Sequence, residues 1–312
     1  MAAIWVYSED DVIAQQLLAP GRDLADKMQA ELCAVTLNIE GATPLIASGA
    51  EKVFVLKGNG KSPESYAQGL ADLAIQEQPA VIFIGATQRG KDLAAKVAAV
   101  LKAGLVTEAL AVRFVDGSIE TDRMMYGGLA VCTEILASPA LVTIPARAYE
   151  ALPADPSRQA ATVVQSVKVD DRVNVSNICP IVREGADISV ADKLVCVGRG
   201  LVKQEDMKLV EDLAAALGAE IGCTRGISED YHWLPQDRYI GLSGQRVKPS
   251  LYISLGVSGQ VQHVAGIRDS KIIVAIDINE NAPIFEAADY GIVGDLYEVS
   301  PLLTEAIKKV VR

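Results

Sequence analysis

Several side chains able to bind or polarise a ligand share one feature: each follows a short apolar run that reads as a β-strand. Arg199 follows Lys193–Val197 (KLVCV), Thr224 and Arg225 follow Glu220–Gly222, Ser258 through His263 follow Leu251–Leu255, and Asp277 follows Ile272–Ile276 (IIVAI). Ser243 sits in a glycine-bounded loop, Tyr239–Gly244 (YIGLSG). In open α/β sheets, ligands bind outside the carboxyl ends of the strands, so these groups converge on one edge. The densest stretch is Leu251–Gly266, LYISLGVSGQVQHVAG. It runs as a strand, breaks at Gly256-Val-Ser-Gly259, and restarts as a helix from Gln260. Free amides of a first helical turn and the helix dipole favour an anion, and glycine lets backbone approach a phosphate where a Cβ would intrude. Ser258 adds a hydroxyl, and Gln262 and His263 add polar groups just inside. Glycine turns of this kind also serve plain packing, so the turn alone leaves both readings open.

The elements that must position these groups alternate strand and helix. In the first part of the chain, strands are expected at Ala3–Tyr7, Leu32–Leu37, Lys52–Leu56 and Ala80–Ile84, with helices at Ala19–Glu31, Pro44–Ser48, Ser62–Gln76 and Lys91–Ala103. That rhythm predicts a parallel sheet with helices on both faces. From Val112 to about Thr143 the period changes to two, with an Asp116-Gly117 hairpin signal, and antiparallel strands are expected. Leu152–Gly185, rich in Pro, Asp, Ser and Arg, reads as a connector containing a strand-like Thr162–Lys168. A second parallel unit begins at Lys193. Its helix Glu205–Leu217 turns Met207, Leu209, Val210, Leu213, Ala214 and Leu217 inward and ends at Gly218. A short strand at Tyr290–Val293 and a helix at Pro301–Val311 close the chain. The expected class is α/β with two doubly wound parallel-sheet domains, residues 1–189 and 190–312, the second Rossmann-like. The hinge between them is expected in the connector.

Bulk properties narrow the functions. The chain has 312 residues, 50% of them hydrophobic and 5% aromatic, enough for two sizeable cores. A formal net charge of −11 supplies no basic stripe, so no nucleic acid is expected as partner. The five cysteines, Cys33, Cys132, Cys179, Cys196 and Cys223, are scattered without a CxxC, which suits reduced thiols and a cytoplasmic location. With His232 and His263 the only histidines, no metal site is expected. No apolar run approaches the ~20 residues of a membrane span, and no membrane insertion is expected.

From Cys196 to Leu296 the sequence resembles the alpha subunit of the electron transfer flavoproteins. The resembling runs are VGRG, Thr224-Arg225, the GxSG loop, KPSLYISLGVSGQVQHVAG, KIIVAI and APIFEAADYGIVGDL. GATQRGKDLAAKVAAVLKA and MMYGGLA extend the resemblance to the first domain, so it covers nearly the whole chain. The latter runs are similar to the branch that serves carnitine or nitrogen-fixation pathways. The resemblance implies FAD in the second domain. Arg225 would lie over the flavin ring, where a fixed cation favours developing negative charge. Ser243, where the family usually has threonine, would hydrogen-bond a flavin nitrogen, and His263 would face the pyrimidine carbonyl, favouring an anionic ring if cationic. Gln262 and Ser258 would hold the ribityl chain and phosphates. Arg199, Thr224, Asp277 and Asp295 would line the adenosine side. Ile240, Gly241 and Leu242 beside Ser243, Gly256, Gly259, Gln260 and Val261 around Ser258, and Leu296 beside Asp295 complete the implied set. Implied partners are a beta subunit, packing on the first domain as a heterodimer, and a flavin dehydrogenase, acyl-CoA type, with this chain as electron carrier.

Three positions depart from the family pattern: Leu242 and Tyr239 replace glutamines, and Asp277 replaces an asparagine. These changes put the flavin potential in doubt. Read without the resemblance, Arg225 is a surface ion-pair residue, Arg199 shapes a turn, His232 is a loop residue and Asp289 caps a turn. Gln88–Lys91 is a solvated helix start or a nucleotide or partner contact. Three rival functions stand beside the carrier: a bifurcating flavoprotein using NADH with ferredoxin or flavodoxin, an NAD(P)-dependent dehydrogenase, and a non-redox nucleotide-binding protein. The dehydrogenase reading lacks a G-x-G-x-x-G after the first strand of either domain.

Overall fold

The structure is a computed structural model and describes residues 2–173, 175–179 and 186–310. The chain divides into two compact units, Met1–Cys179 and Pro180–Arg312.

Unit 1 runs β1 (Ala3–Tyr7), α1 (Asp11–Met28), β2 (Glu31–Thr36), α2 (Ala42–Ala47), β3 (Lys52–Lys57), α3 (Ala67–Glu77), β4 (Val81–Gly85), α4 (Gln88–Leu101), β5 (Gly104–Val106), β6 (Ala109–Val115), β7 (Ser118–Met125), β8 (Ala130–Leu136), β9 (Ala140–Ile144) and β10 (Ala161–Ser166). Seven strands form a parallel sheet in the order β10-β3-β2-β1-β4-β9-β5. Strand residues alternate between its faces. Ile4 and Val6 pack with Leu17, Leu18 and Leu24 of α1, whereas Trp5 and Tyr7 pack with Leu70 and Leu73 of α3 and Leu93 and Val97 of α4. Continuous apolar strands such as VIFIG follow from burial on both faces.

The structure differs from the sequence reading at several places in unit 1. α1 begins at Asp11, eight residues before the expected start at Ala19, because Asp10 caps it: its Oδ1 accepts from the amides of Val12 (2.9 Å) and Ile13 (3.0 Å). Pro20 lies inside this helix. Only β6, β7 and β8 form the antiparallel sheet expected up to Thr143. The last strand of that region, β9, enters the parallel sheet between β4 and β5 instead, because ALVTI is buried throughout. The strand-like piece of the connector is β10, the parallel edge strand beside β3.

Unit 2 runs β11 (Lys193–Val197), α5 (Met207–Leu217), β12 (Glu220–Cys223), β13 (Leu251–Leu255), α6 (Val261–Ile267), β14 (Ile273–Asp277), α7 (Ile284–Ala287), β15 (Tyr290–Val293) and α8 (Leu296–Val310). Its five strands are parallel in the order β12-β11-β13-β14-β15. Val195 and Val197 face α5 and α8, and Leu194 and Cys196 face Ile267 of α6 and Ile284 of α7. Gly218 caps α5 at φ +63°. α8 starts five residues before the expected Pro301, because the Asp295 carboxylate accepts from the Tyr297 amide at 2.9 Å. The expected end of that helix, Val311, lies outside the described residues, as do Pro180–Gly185 of the connector. Among the described residues, no helix is long and apolar enough to cross a membrane.

Candidate cofactor site

The strand order of unit 2 reverses between β11 and β13: the next strand in sequence, β12, lies on one side of β11 and all later strands on the other. Loops leaving the carboxyl ends of β11 and β13 therefore diverge and open a crevice. Both loops are glycine-rich, and they touch. The Gly200 amide donates to the Gly256 carbonyl at 3.0 Å. A Cβ on Gly198 would lie 2.2 Å from the Gly256 oxygen, and one on Gly200 would lie 2.5 Å from the Gly256 Cα. Gly256 and Gly259 take φ values of +60° and +79°, the left-handed region that suits glycine. Two bare backbones thus form the crevice wall, while Arg199 and Ser258 remain exposed.

A cavity of about 490 Å³ opens at this point. Arg199 lines it from the β11 loop, and Thr224 and Arg225 line it from the end of β12. Tyr239, Ile240 and Ser243 approach from the loop before β13, Val257–Gln260 from the loop after it, and Gln262 and His263 from α6. The Tyr239–Gln245 loop is fastened to α6. The Leu242 amide donates to the Gln262 carbonyl (2.7 Å), and a Cβ on Gly266 would lie 2.7 Å from the Gly241 nitrogen. Ser243 Oγ and Tyr239 Oη are hydrogen-bonded at 3.0 Å.

Charge in the cavity comes from the guanidinium groups of Arg199 and Arg225 and from the Asp230 carboxylate. Arg225 starts a π-helical turn, Gly226–Asp230, which brings its Nε to 2.6 Å from Glu229 Oε2. That hydrogen bond and the Glu229 charge raise the Arg225 pKa above its ordinary value, yet its side chain stays 67% exposed. His263 is different. It is buried, its Nδ1 lies 3.0 Å from the Ile240 carbonyl and its Nε2 lies 2.7 Å from Tyr252 Oη. Burial pushes its pKa down to about 4, although the Ile240 hydrogen bond pulls the other way. Burial also pushes the nearby Cys223 thiol up to about 12 and the Cys196 thiol and Tyr252 phenol well above their ordinary values.

Of the residues singled out in the sequence, Arg199, Thr224, Arg225, Ile240, Ser243, Ser258, Gly259, Gln260, Gln262 and His263 line this one cavity. Gly241, Leu242 and Gly256 lie in the same loops, and Val261 opens α6. Asp277 and Asp295 sit farther along the same sheet edge and spend carboxylate oxygens on the amides of Asn279 and Tyr297, 2.9 Å each. Leu296 is buried, and its Cδ2 lies 2.8 Å from where a Gly256 Cβ would be, so it buttresses the glycine loop from behind. Gly226, Asp230 and Val257 line the cavity without having been assigned to it from sequence, and Tyr239, singled out there only as a departure from the family pattern, lines it too. Val257 was legible inside the Gly256–Gly259 run; Gly226 and Asp230 depend on the π turn, which no simple spacing announces. Outside the cavity, the His232 Nδ1 contacts the Ser228 carbonyl at 3.1 Å and Asp289 accepts from the Ile273 amide at 2.8 Å. Among the described residues, no cluster of His, Cys, Asp and Glu could hold a metal ion.

Residues 187–268 match the family model described as the electron transfer flavoprotein FAD-binding domain, and residues 4–171 match the electron transfer flavoprotein domain. The chain belongs to the electron transfer flavoprotein family. It is 38% identical over 311 residues to YdiR of Escherichia coli (strain K12), covering 98% of both chains. It is 35% identical over 312 residues to Protein FixB of Escherichia coli O157:H7 and of Shigella flexneri, again covering 98% of each. This electron transfer flavoprotein subunit has FAD as its cofactor. The cavity suits that group. Its wall is a double glycine turn that any Cβ would fill, and its donors are two guanidiniums, hydroxyls from Thr224, Ser243 and Ser258, and the Gln262 amide. Those are the groups that diphosphate, ribityl hydroxyls and ring heteroatoms require.

Proposed function

We propose that this chain is the FAD-carrying alpha subunit of a heterodimer that shuttles electrons between a flavin dehydrogenase, acyl-CoA type, and a second redox partner. The observation that carries this reading is the cavity at the strand-order reversal of unit 2, where Arg199, Thr224, Arg225, Ser243, Ser258 and Gln262 meet. Bound there, FAD would supply the one- and two-electron chemistry, and the chain's own residues bind it, orient it and set its electrostatics. Ser258 and the amides of the glycine loops hold the phosphates, and Gln262 holds the ribityl chain. Ser243 aims its hydroxyl at the ring with Tyr239 as its second partner. Arg225 provides the cation over the ring. Asp277 and Asp295 flank the adenosine side of the same edge. Residues 1–189 serve the beta subunit and 190–312 the cofactor.

A partner subunit is supported by the three-stranded sheet of unit 1. Its edge strand β8 and the turn before it expose Tyr126, Leu129, Val131 and Ile135, between 61% and 78% accessible. Four large apolar side chains together in one hairpin form the kind of patch that marks a protein interface.

The test is co-expression with the neighbour-encoded subunit, followed by the visible spectrum and the FAD stoichiometry of the purified complex. One FAD per heterodimer is expected from this chain. Two FAD with reduction by NADH would mark the bifurcating mode. A colourless, FAD-free heterodimer would overturn the reading.

A further inference from the structure

The Tyr239–Gln245 loop curls back over its own first side chain. The Gln245 amide donates to the Tyr239 carbonyl at 2.7 Å, and the Gly244 amide donates to the Gly241 carbonyl at 3.0 Å. The Tyr239 side chain lies beneath this turn, 7% exposed, in the core that holds Val195 and Ile253. Two glycines leave room for it. A Cβ on Gly244 would lie 2.6 Å from Tyr239 Cδ1, and one on Gly241 would lie 3.0 Å from Tyr239 Oη. Ser243 stands exposed on the same turn, with its Oγ 3.0 Å from that Oη. A serine has no branch at Cβ to restrict its rotation, so the anchored phenol is what holds the hydroxyl. Chemistry sets the direction of the bond. Either oxygen has a proton to give. A phenol is a stronger acid than an alkyl alcohol, and its lone pair is drawn into the ring, so it donates better and accepts worse. The favoured bond therefore runs from the Tyr239 hydroxyl to Ser243 Oγ. The serine proton is then left over, and among the described residues no protein acceptor takes it. What lies open to it is the cavity that Ser243 lines with Arg225 and Gln262.

We infer that Tyr239 is a positioning residue: by donating to Ser243 Oγ it commits the serine hydroxyl to donate in turn, so that a bound flavin meets a fixed donor at an unprotonated nitrogen of its ring edge. This deepens the reading that the cavity holds the flavin with Ser243 at the ring, and rests on it. The two hydroxyls form a chain in which each bond polarises and strengthens the next. Without the phenol, the serine hydroxyl would turn among its staggered wells and share its proton with water. Tyr239 thus acts through Ser243.

The experiment uses the full chain with its partner subunit, reconstituted with FAD that is isotope-labelled at the ring nitrogens. Ser243→Ala removes the donor and marks the nitrogen resonance that depends on it. Tyr239→Phe keeps the buried ring and removes only its hydroxyl. It should move the same resonance in the same direction and weaken FAD by roughly three- to tenfold, the worth of one hydrogen bond. With Ser243→Ala already in place, Tyr239→Phe should add less than about twofold, because the group it acts through is gone. Equal costs in the two backgrounds would make Tyr239 a packing residue and overturn the inference. So would a resonance that Ser243→Ala moves and Tyr239→Phe leaves in place. A second measurement needs no change at Tyr239. With ring-labelled tyrosine, the infrared difference between wild type and Ser243→Ala isolates the Tyr239 C–O stretch, which should stand at the frequency of a phenol that donates. The frequency of a phenol that only accepts, or no difference at all, overturns the inference. If Ser243→Ala moves no ring nitrogen while the infrared shows a donating phenol, the placement of the flavin against Ser243 fails and the inference falls with it, and only the direction of the Tyr239–Ser243 bond stands.

Discussion

Arg225 Nε and Glu229 Oε2 meet at 2.6 Å across one turn of π-helix, on the rim of the cavity. The pair is i,i+4, and the arginine is mostly exposed. Its Coulomb worth to stability is therefore small, but its consequence for a bound ring is not. Glu229 holds the guanidinium in place and also cancels part of its field. Glu229→Gln keeps the shape and removes the negative charge. The flavin midpoint potential should rise by on the order of tens of millivolts, and the rise should shrink as salt screens it. Potentiometric titration of wild type and variant at low and high salt checks this. An unchanged potential would mean that the Arg225 charge does not reach the ring.

The buried imidazole sets a pH dependence whose sign follows from its lowered pKa. Unfolded, His263 titrates near 6.5; folded, at about 4. Between those values the unfolded chain holds a proton that the folded chain lacks. Stability from this residue is complete above about pH 6.5 and falls as pH drops toward 4. From pH 7 to 5 the loss should be about 2 kcal/mol. Asp122, held down at about 2 mainly by its Arg113 hydrogen bond, affects stability only at lower pH, as it falls from its ordinary 3.8. Denaturant unfolding at pH 7 and pH 5 measures the slope. His263→Gln should flatten it, and an equal slope in both proteins would count against the burial argument.

Sequence and structure agree best where local pattern and burial say the same thing. KLVCV, LYISL and VIFIG are apolar throughout because parallel strands are covered on both faces, and each became a strand. Much of the cavity was legible because Arg199, Thr224, Arg225 and the Ser258–His263 run each follow a strand, so finding the strands located those groups. Local pattern misled at Ala140–Ile144: an apolar five-residue run after a set of hairpin strands reads as one more of them, and only its long-range pairing with β4 shows otherwise. The early start of α1 was missed because Pro20 also suits the first turn of a helix, while the Asp10 cap upstream carried the real signal. The Tyr252–His263 contact was hidden for a different reason. Within a strand Tyr252 looks like core, and its hydroxyl meets a partner only because His263, 11 positions away, folds back over it.

The apolar face of β8 should affect association and spare folding. Val131 and Ile135 are 61% and 70% exposed, so charged replacements there bury nothing in the isolated chain. Val131→Asp with Ile135→Asp should shift unfolding by no more than about 0.5 kcal/mol per site. Affinity for the partner subunit should fall at least roughly tenfold, since a carboxylate desolvated in an apolar interface has no compensating partner. Analytical ultracentrifugation of the co-expressed pair reads association, and thermal unfolding of the chain reads folding. A double variant that still assembles at wild-type affinity would remove this face from the interface.

The contact between the two glycine loops should prove the least tolerant feature of the site. An alanine at Gly198 places its Cβ 2.2 Å from the Gly256 oxygen and 2.9 Å from the Val257 Cα, both backbone atoms that no rotamer change can move. Either the β13 loop shifts or the strands separate, and overpacking of this kind costs about 1–3 kcal/mol. Because the displaced segment is the wall formed by Val257–Gly259, FAD affinity should fall with stability. Gly218→Ala is the control. Its φ of +63° makes alanine costly by about 1 kcal/mol, but nothing lies within 4 Å of the new Cβ, and Gly218 caps α5 away from the cavity. Both variants should therefore melt earlier than wild type. Only Gly198→Ala should release FAD more readily, by at least roughly tenfold, as read by flavin fluorescence on dilution. If Gly198→Ala kept its cofactor as tightly as Gly218→Ala, the glycine contact would be a packing feature of the sheet and the phosphate cradle would have to lie elsewhere.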